Sequence, residues 1–588
     1  MKIALNSKSY SHTAKELDNF SWFSLRIACV LFIVFFTALL FHSDLAPLEE
    51  THWDAVIYVD ISKRAAETQM LADYHQHAHD IPLEPNRLLW HFTRIGHVLL
   101  LGEVGRLFGT TETALVAMQW LYRVFMALGV TLCVVLGSRL AVLFRPKKPD
   151  SIWWAGYSLG ALSYIASDSY RGLQGHLLSE PPAFVILAFF AVMLVRAVER
   201  RSLAVGAFAG CLLFLVFFIR IDATLPGIIF STVLLAALIM SRKFDAVPSI
   251  IAAGLVSLFL YVIYAWWFSP LVNPQTLANF SSAAKELFPG APAMSLFKIA
   301  IAGGLLWVGA CAAIPMWRDP LIRFAMVWLV LALLPMVVDS LNGRAVQTRM
   351  SFGIVLPLLV LCGEGWSSIL QNFIKQRKTR PLLIASGILI VIAFVPNSLI
   401  QQETRNLVIN YLPSEIHKYL FPSLVRNATI GPASPYQDSR LGLLVRPISE
   451  RRTFEYSKIR ALGDYLYVPE RPAYLLWPEY NVEYLFGLEG YVGLIRYFGK
   501  KYPENSDIFL TKLPNQDKSI PCTARVPTLL EPLVFCTTLV YSDLKVLRRN
   551  KIPLYILGVD GYPLPEMPPL KLKILLSEPP FVLYGIAE

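Results

Sequence analysis

The chain has 588 residues, 55% of them hydrophobic and only 16% charged, with a mean hydropathy of +0.50. Those values exclude an ordinary soluble protein and indicate a polytopic membrane protein. A formal charge of +11 could suggest a nucleic-acid partner, but the basic residues collect in short loops between apolar runs. That is the positive-inside pattern of membrane proteins, and it argues against nucleic acid.

The first apolar run, Trp22–Phe41, follows Lys2, Lys8 and Lys15 and has no small-residue cleavage site. It reads as a retained span and not as a cleaved signal peptide. The first outer loop, residues 42–113, opens with His52-Trp53-Asp54-Ala55-Val56-Ile57-Tyr58-Val59-Asp60-Ile61. An acid there sits at the membrane surface beside aromatics suited to the headgroup layer. Leu88–Phe108 is apolar enough to cross, but Arg87, His91, Arg94 and Arg106 recur at helical spacing. The expected element is a helix lying along the surface with those polar groups on one face.

Further spans follow at about Ala114–Phe144, Ile152–Ala166, His176–Val195, Leu203–Phe218, Leu225–Met240, Pro248–Phe268, Leu296–Ile314, Leu321–Val338, Phe352–Leu370 and Leu382–Leu399. With the first, that makes about eleven runs near the ~20 residues a bilayer needs. Charge tests the count. With a cytoplasmic N-terminus, the loops Arg145–Asp150, Arg196–Arg201, Ser241–Asp245, Met316–Pro320 and Gln371–Arg380 fall inside, and each carries Lys or Arg. Letting Leu88–Phe108 cross would put them all outside and break the rule.

This layout leaves residues 401–588 on the outer side as a second domain after the transmembrane domain of residues 1–400. Glu450–Tyr465 and Tyr541–Asn550 read as helices. Ala473–Trp477, Pro553–Leu557 and Phe581–Ile586 read as strands, so a mixed α/β domain is expected. Cys29, Cys133, Cys211, Cys311 and Cys362 fall in apolar runs, where a thiol behaves as a small hydrophobe. Cys522 and Cys536 are the pair in the outer domain. They read either as a disulfide formed in an oxidising compartment or as two buried thiols.

Ionisable residues crowd the outer side. Besides Asp54, the first loop has His75, His77, His79, Asp80, Glu84 and Arg87. Shorter outer loops supply Asp168, Arg171 and His176, then Arg220 and Asp222, then Asp339, Arg344 and Arg349. Glu180 lies just inside a span, where an ionisable group tends to face a cavity. Two roles fit Asp54: a general base that takes a proton from an attacking hydroxyl, or the N-cap of a helix beginning at Ala55. Asp60 is better suited to an i,i+4 pair with Arg64. Arg220, Arg344 and Arg349 suit a phosphate leaving group, while the last two could equally be interfacial anchors. Alternate residues of an extended His75-Gln-His77-Ala-His79 would point the same way and could hold a divalent metal, though His-rich loops also occur without one. Glu84 and Arg87 read either as substrate contacts or as the cap and first turn of the surface helix.

The Asp outside the first span, the long first loop with its surface helix, the many spans and the outer C-terminal domain resemble the GT-C glycosyltransferases. Trp53-Asp54-Ala55 with Tyr58 and Ile61 is similar to the Trp-Asp-Ala/Gly…Tyr…Ile-Ala pattern of membrane mannosyltransferases that use polyprenyl-phosphate sugars. Ser179-Glu180-Pro181 and Arg220-Ile-Asp222 are similar to the Ser-Glu span opening and the Arg-containing turn of that group. The layout also resembles bacterial transferases that decorate lipid A, and protein O-mannosyltransferases, but Asp54-Ala55 replaces the double acid of the latter. The Trp-Trp-Asp of oligosaccharyltransferases is absent.

The resemblance implies transfer of a single sugar, with inversion, from a polyprenyl-phosphate donor to a lipid or glycan acceptor outside the cytoplasm. Asp54 would be the base, and the reaction would need no cofactor. Membrane lipids are the further partner. A bacterial inner membrane fits the large outer domain, and an endoplasmic reticulum membrane is the alternative. A flippase for a lipid-linked glycan is the rival reading; it predicts broken helices with paired charges at mid-membrane, whereas here most runs are charge-free at their centres.

Overall fold

The computed structural model describes residues 26–39, 58–59, 62, 94–109, 112–145, 150–166, 177–267, 303–341, 352–376, 386–388, 461–462, 465, 473–477, 508–512, 554–559, 572–578 and 581–586. The helices are α1 (Arg26–Leu39), α2 (Ile95–Phe108), α3 (Glu112–Phe144), α4 (Ser151–Ile165), α5 (Glu180–Arg200), α6 (Leu203–Ile219), α7 (Thr224–Met240), α8 (Val247–Trp267), α9 (Leu306–Ala313), α10 (Pro320–Leu341) and α11 (Phe352–Lys375). Among the described residues, six helices (α3, α5, α7, α8, α10 and α11) are long and apolar enough to cross a membrane, and α1, α6 and α9 are shorter apolar helices. Each falls within or over a predicted apolar run. The last predicted span, Leu382–Leu399, is described only at residues 386–388, which are helical.

Buried and lipid-exposed faces divide these helices. α5 and α11 are buried over most of their length, whereas α8 exposes Leu255, Leu258, Phe259 and Val262. Apolar side chains facing outward are the expected surface of a helix in a bilayer. Helices in lipid gain little from excluding water, so they associate by close van der Waals contact at small residues. Gly206 and Gly210 on α6 show this against α8. A methyl group on the first would run into the carbonyl oxygen of Ser249, and one on the second into that of Ala253.

Polar contacts gather at two opposite ends of the bundle. At one end, Arg145 pairs with Asp319, Arg201 with Asp245, and the Lys243 ammonium donates to the Leu143 carbonyl. The loops that charge assigns to one side of the membrane therefore meet in space.

α2 has 14 residues, about 21 Å at 1.5 Å each, which falls short of the ~30 Å hydrocarbon layer. Gly109, at φ 77°, closes it in the left-handed conformation. Its polar residues do not share a face as the spacing predicts. Arg94 is buried, while Arg106 is exposed and pairs with Glu103 one turn back. The twelve positions between them rotate the helix by about 120°. The protein-facing stripe is Ile95, His97, Val98, Leu101 and Gly105.

In the C-terminal region, five strands form one sheet in the order β2-β1-β3-β5-β4: β1 (Ala473–Trp477), β2 (Ile508–Lys512), β3 (Leu554–Val559), β4 (Leu572–Glu578) and β5 (Phe581–Ile586). β1 runs parallel to β2 and β3, and β5 runs antiparallel to β3 and β4. β1, β3 and β5 fall where the sequence places strands, whereas β2 and β4 are additions. A register shift between Ile574 and Leu576 leaves Leu575 packed over Gly585, where a side chain would meet it at 2.7 Å. The predicted helix Tyr541–Asn550 lies outside the described residues, and of Glu450–Tyr465 only 461–462 and 465 are described, all helical.

Candidate functional site

The other polar end lies where α5 begins and α6 stops. Pro181 and Pro182 occupy the first turn of α5, where no backbone donor is lost. Ser179 and Glu180 stand just ahead of them, both buried. α6 ends at Arg220, whose backbone turns extended (φ −160°, ψ 109°) before the short helical turn Ile221–Ala223 leads into α7. The turn directs the Arg220 side chain inward, where it is 1% exposed.

Its guanidinium contacts Ser179, Glu180 and Asp222. Nη1 donates to Ser179 Oγ at 2.8 Å and lies 3.0 Å from Glu180 Oε1; Nη2 donates to Asp222 Oδ2 at 2.8 Å. Glu180 is 1% exposed, and the Asp222 side chain is 56% exposed. Burial alone would lower the Arg220 pKa, but Asp222 and Glu180 outweigh it and hold the group above its ordinary value. Arg220 therefore stays charged, and its hydrogen bonds tie the end of α6 to the start of α5.

Beside this ion cluster lies a layer of rings. The His97 ring sits at 0% exposure between three segments. Tyr122 of α3 contacts Nδ1 at 2.7 Å through its hydroxyl, and Nε2 lies 3.3 Å from the Leu177 carbonyl oxygen. A carbonyl only accepts, so Nε2 carries the proton and Nδ1 accepts from Tyr122. Burial first, and the Arg94 charge second, push the His97 pKa down to about 3. The imidazole is neutral. It packs perpendicular to the Tyr58 ring, with centroids 4.7 Å apart and planes at 89°, while the Arg94 guanidinium stands 5.7 Å from the centre of the same Tyr58 ring. Gly96 lets the first turn of α2 press on the end of α6, since a methyl there would lie 2.8 Å from the Phe218 carbonyl oxygen.

The structure thus brings Glu180 and Arg220 together, with Asp222, Tyr58, Arg94, His97 and Tyr122 around them. Asp54, His75, His77, His79, Glu84, Arg87, Asp168, Arg171, His176, Arg344, Arg349, Cys522 and Cys536 lie outside the described residues. Among the described residues no group of three or more His, Cys, Asp or Glu is placed to hold a metal ion. His97 and Tyr122 are members of the site that sequence reasoning missed. Their only signal was polarity inside apolar runs.

At the far end, Glu364 of α11 is 4% exposed and accepts from Trp153 Nε1 at 2.9 Å, Tyr157 Oη at 3.1 Å and Arg145 Nη2 at 2.8 Å. Arg145 Nε also donates to Asp319 at 2.9 Å. Trp153 and Tyr157 are one turn apart on α4 and stack at 3.8 Å, so both point their donors at one carboxylate. The lone acid within an apolar run was the available signal for this residue.

A scan against protein-family models and a search of the curated proteins found no match. Among solved structures, the chain is similar to ArnT from Cupriavidus metallidurans bound to undecaprenyl phosphate. The identity is 13% and the TM-score 0.52, with 96% of this chain and 98% of that chain covered. ArnT from the same organism in the apo state aligns at 13% identity with a TM-score of 0.48 and the same coverage of both chains. At this identity the likeness is one of fold, and it extends over nearly the whole chain.

Proposed function

We propose that this chain is an integral-membrane glycosyltransferase that moves one sugar from a polyprenyl-phosphate donor to a lipid or glycan acceptor outside the cytoplasm. The observation that carries the reading is the fold shared along nearly its full length with a protein bound to undecaprenyl phosphate. A buried charged cluster where α5 begins supports it, because Tyr58 of the Asp54 motif packs on His97 beside that cluster. In this reading the N-terminus is cytoplasmic, the cluster end faces outward, and the basic loops at the far end face inward, as the positive-inside rule requires. A bacterial inner membrane is the setting that suits the large outer domain.

In the proposed step, the acceptor hydroxyl attacks the anomeric carbon of the donor sugar from the side opposite the phosphate. Asp54 takes the hydroxyl proton as the new C–O bond forms. The bond between the anomeric carbon and the phosphate oxygen breaks, and the electron pair leaves with the polyprenyl phosphate. One displacement inverts the anomeric centre. Arg344 and Arg349 stabilise the charge that grows on the leaving phosphate. Arg220 adds positive potential from behind, its guanidinium held by Ser179, Glu180 and Asp222. Glu84, Arg87, Asp168, Arg171 and His176 are the proposed sugar and acceptor contacts. A divalent ion on His75, His77 and His79 would sit in the same loop.

The test is transfer from a panel of radiolabelled polyprenyl-phosphate sugars to extracted envelope lipids by purified protein in bilayers. Replacing Asp54 by Asn is expected to slow transfer by about 10²–10⁴-fold, the usual contribution of a positioned base. Equal transfer by both proteins would reject Asp54 as the base and direct attention to Asp168 and Glu84.

A further inference from the structure

We infer that His97 is a positioning residue of the transfer site: it locks Tyr58, a member of the Trp53-Asp54-Ala55…Tyr58 motif, against α3 and the residues just ahead of α5. This inference rests on the proposed function for its catalytic meaning, but its geometry stands by itself.

Four segments converge on the one imidazole. α2 carries the ring, and α3 supplies the Tyr122 hydroxyl at 2.7 Å. The residues before α5 supply the Leu177 carbonyl at 3.3 Å, and the first loop supplies the Tyr58 ring at 4.7 Å between centroids. A His that only filled core space would be poorly chosen there, because burying its two polar nitrogens costs free energy unless both are matched. Here both are matched, each in a different direction and to a different element. The match also fixes the tautomer, since Leu177 can only accept and Tyr122 is left to donate. The ring plane is therefore determined by two hydrogen bonds.

Tyr58 packs perpendicular to that plane. The polarised rim of an aromatic ring is attracted to the electron-rich face of another, which accounts for the 89° angle between the planes. Arg94, one turn ahead of Val98 on the same helix, stands 5.7 Å from the Tyr58 centroid. Tyr58 is only 3% exposed and Val59 is fully buried, and the Ser62 hydroxyl donates to the Val59 carbonyl at 2.7 Å. Asp54 is four residues before Tyr58 in the chain. α2 can act as a fixed reference because Gly96 seats it on the α6 backbone at Phe218, two residues before Arg220. The ring layer and the ion cluster thus meet just ahead of α5, where Leu177 contacts His97 and Ser179 and Glu180 contact Arg220.

The experiment is amide hydrogen exchange on the full-length protein in nanodiscs of phosphatidylethanolamine and phosphatidylglycerol, following the peptide that covers residues 54–62. His97→Ala is expected to raise exchange there by about tenfold, as expected when a locally docked segment loses its support. Peptides from α5 and α11 should keep their wild-type protection. His97→Gln, whose amide carries one acceptor and one donor, should restore protection to within about threefold. Unchanged exchange of 54–62 in His97→Ala would overturn the inference. So would a rise shared equally by α5 and α11, which would make His97 a general core residue. Undecaprenyl phosphate binding, measured on the same samples, separates this inference from the function beneath it. Binding by wild type that weakens about tenfold in His97→Ala and recovers in His97→Gln supports both. Failure of wild type to bind it would reject the proposed donor class, while the exchange data would still decide whether His97 holds the loop.

Discussion

The two polar ends of the bundle solve the burial of charge in different ways. At the far end one carboxylate, Glu364, receives a Trp N–H, a Tyr O–H and an Arg, each within 3.1 Å. Two of these donors are neutral, and the Arg is partly exposed and shared with Asp319. At the site end, Arg220 and Glu180 are both 1% exposed and lie beside Arg94, Asp222 and a neutral His. The first arrangement is a lock that draws α3, α4 and α11 together by satisfying one acceptor. The second concentrates opposite charges in a water-poor place, where their fields are strong and their desolvation is costly. A protein tolerates such a cluster where charge has work to do, and the proposed phosphate-bearing donor would be work of that kind.

The comparison can be broken most severely at Arg220. Arg220→Met would take the cation 3.0 Å from the buried Glu180 carboxylate away, and losing one partner of a buried pair is expected to cost about 3–5 kcal/mol. Thermal unfolding in lipid should show it as a large drop, with partial recovery when Glu180→Gln is added. Recovery is the sharper reading, because it distinguishes a stranded charge from lost packing.

Glu364→Ala comes next, at about 2–3 kcal/mol, since it leaves the Trp153 and Tyr157 donors buried without an acceptor. Glu364→Gln should cost less, because its carbonyl oxygen can still accept. If the two ends differ as argued, Glu364→Ala lowers the unfolding temperature yet leaves transfer by the surviving folded protein unchanged.

The smallest effect is one of pH. The folded state holds His97 near a pKa of about 3, below the ~6.5 of an unfolded His. The unfolded chain therefore takes up a proton that the folded one refuses. Stability contributed by the neutral imidazole is complete above pH 6.5 and declines as the pH falls from 6.5 towards 3. By pH 5 the loss is about 2 kcal/mol. Unfolding temperature against pH should show this slope in wild type and lack it in His97→Gln. An equal slope in both proteins would assign the pH dependence elsewhere.

Much of the bundle could be read from sequence because a span is a local property. A run of apolar residues between basic loops needs no knowledge of its neighbours, and α3, α5, α8 and α11 fall over their predicted runs. The site was legible in fragments. Ser179, Glu180, Arg220 and Asp222 stood out one by one as polar groups at span ends, but their convergence depends on how α5 packs on α6. His97 escaped notice because a single His among Gly and Leu looks the same whether it faces lipid, water or a tyrosine. Glu364 escaped because its partners lie more than 200 positions away in the chain. The strand β4 was missed for a different reason. Its Leu-Lys-Ile-Leu-Leu breaks the alternation expected of a half-buried strand, and the bulge at Leu575 is the structural form of that break.

The glycine seam between α6 and α8 bears on how the protein can be handled. Gly206 and Gly210 meet the backbone of Ser249 and Ala253 directly, so the helices cohere by shape and not by shedding water. A detergent micelle competes for greasy surface, but it has no molecule thin enough to enter a gap that a methyl group cannot. Extraction from the bilayer should therefore leave this pair clasped while more loosely packed helices drift, and Arg220 with its partners would travel through purification on the sturdier side of the molecule.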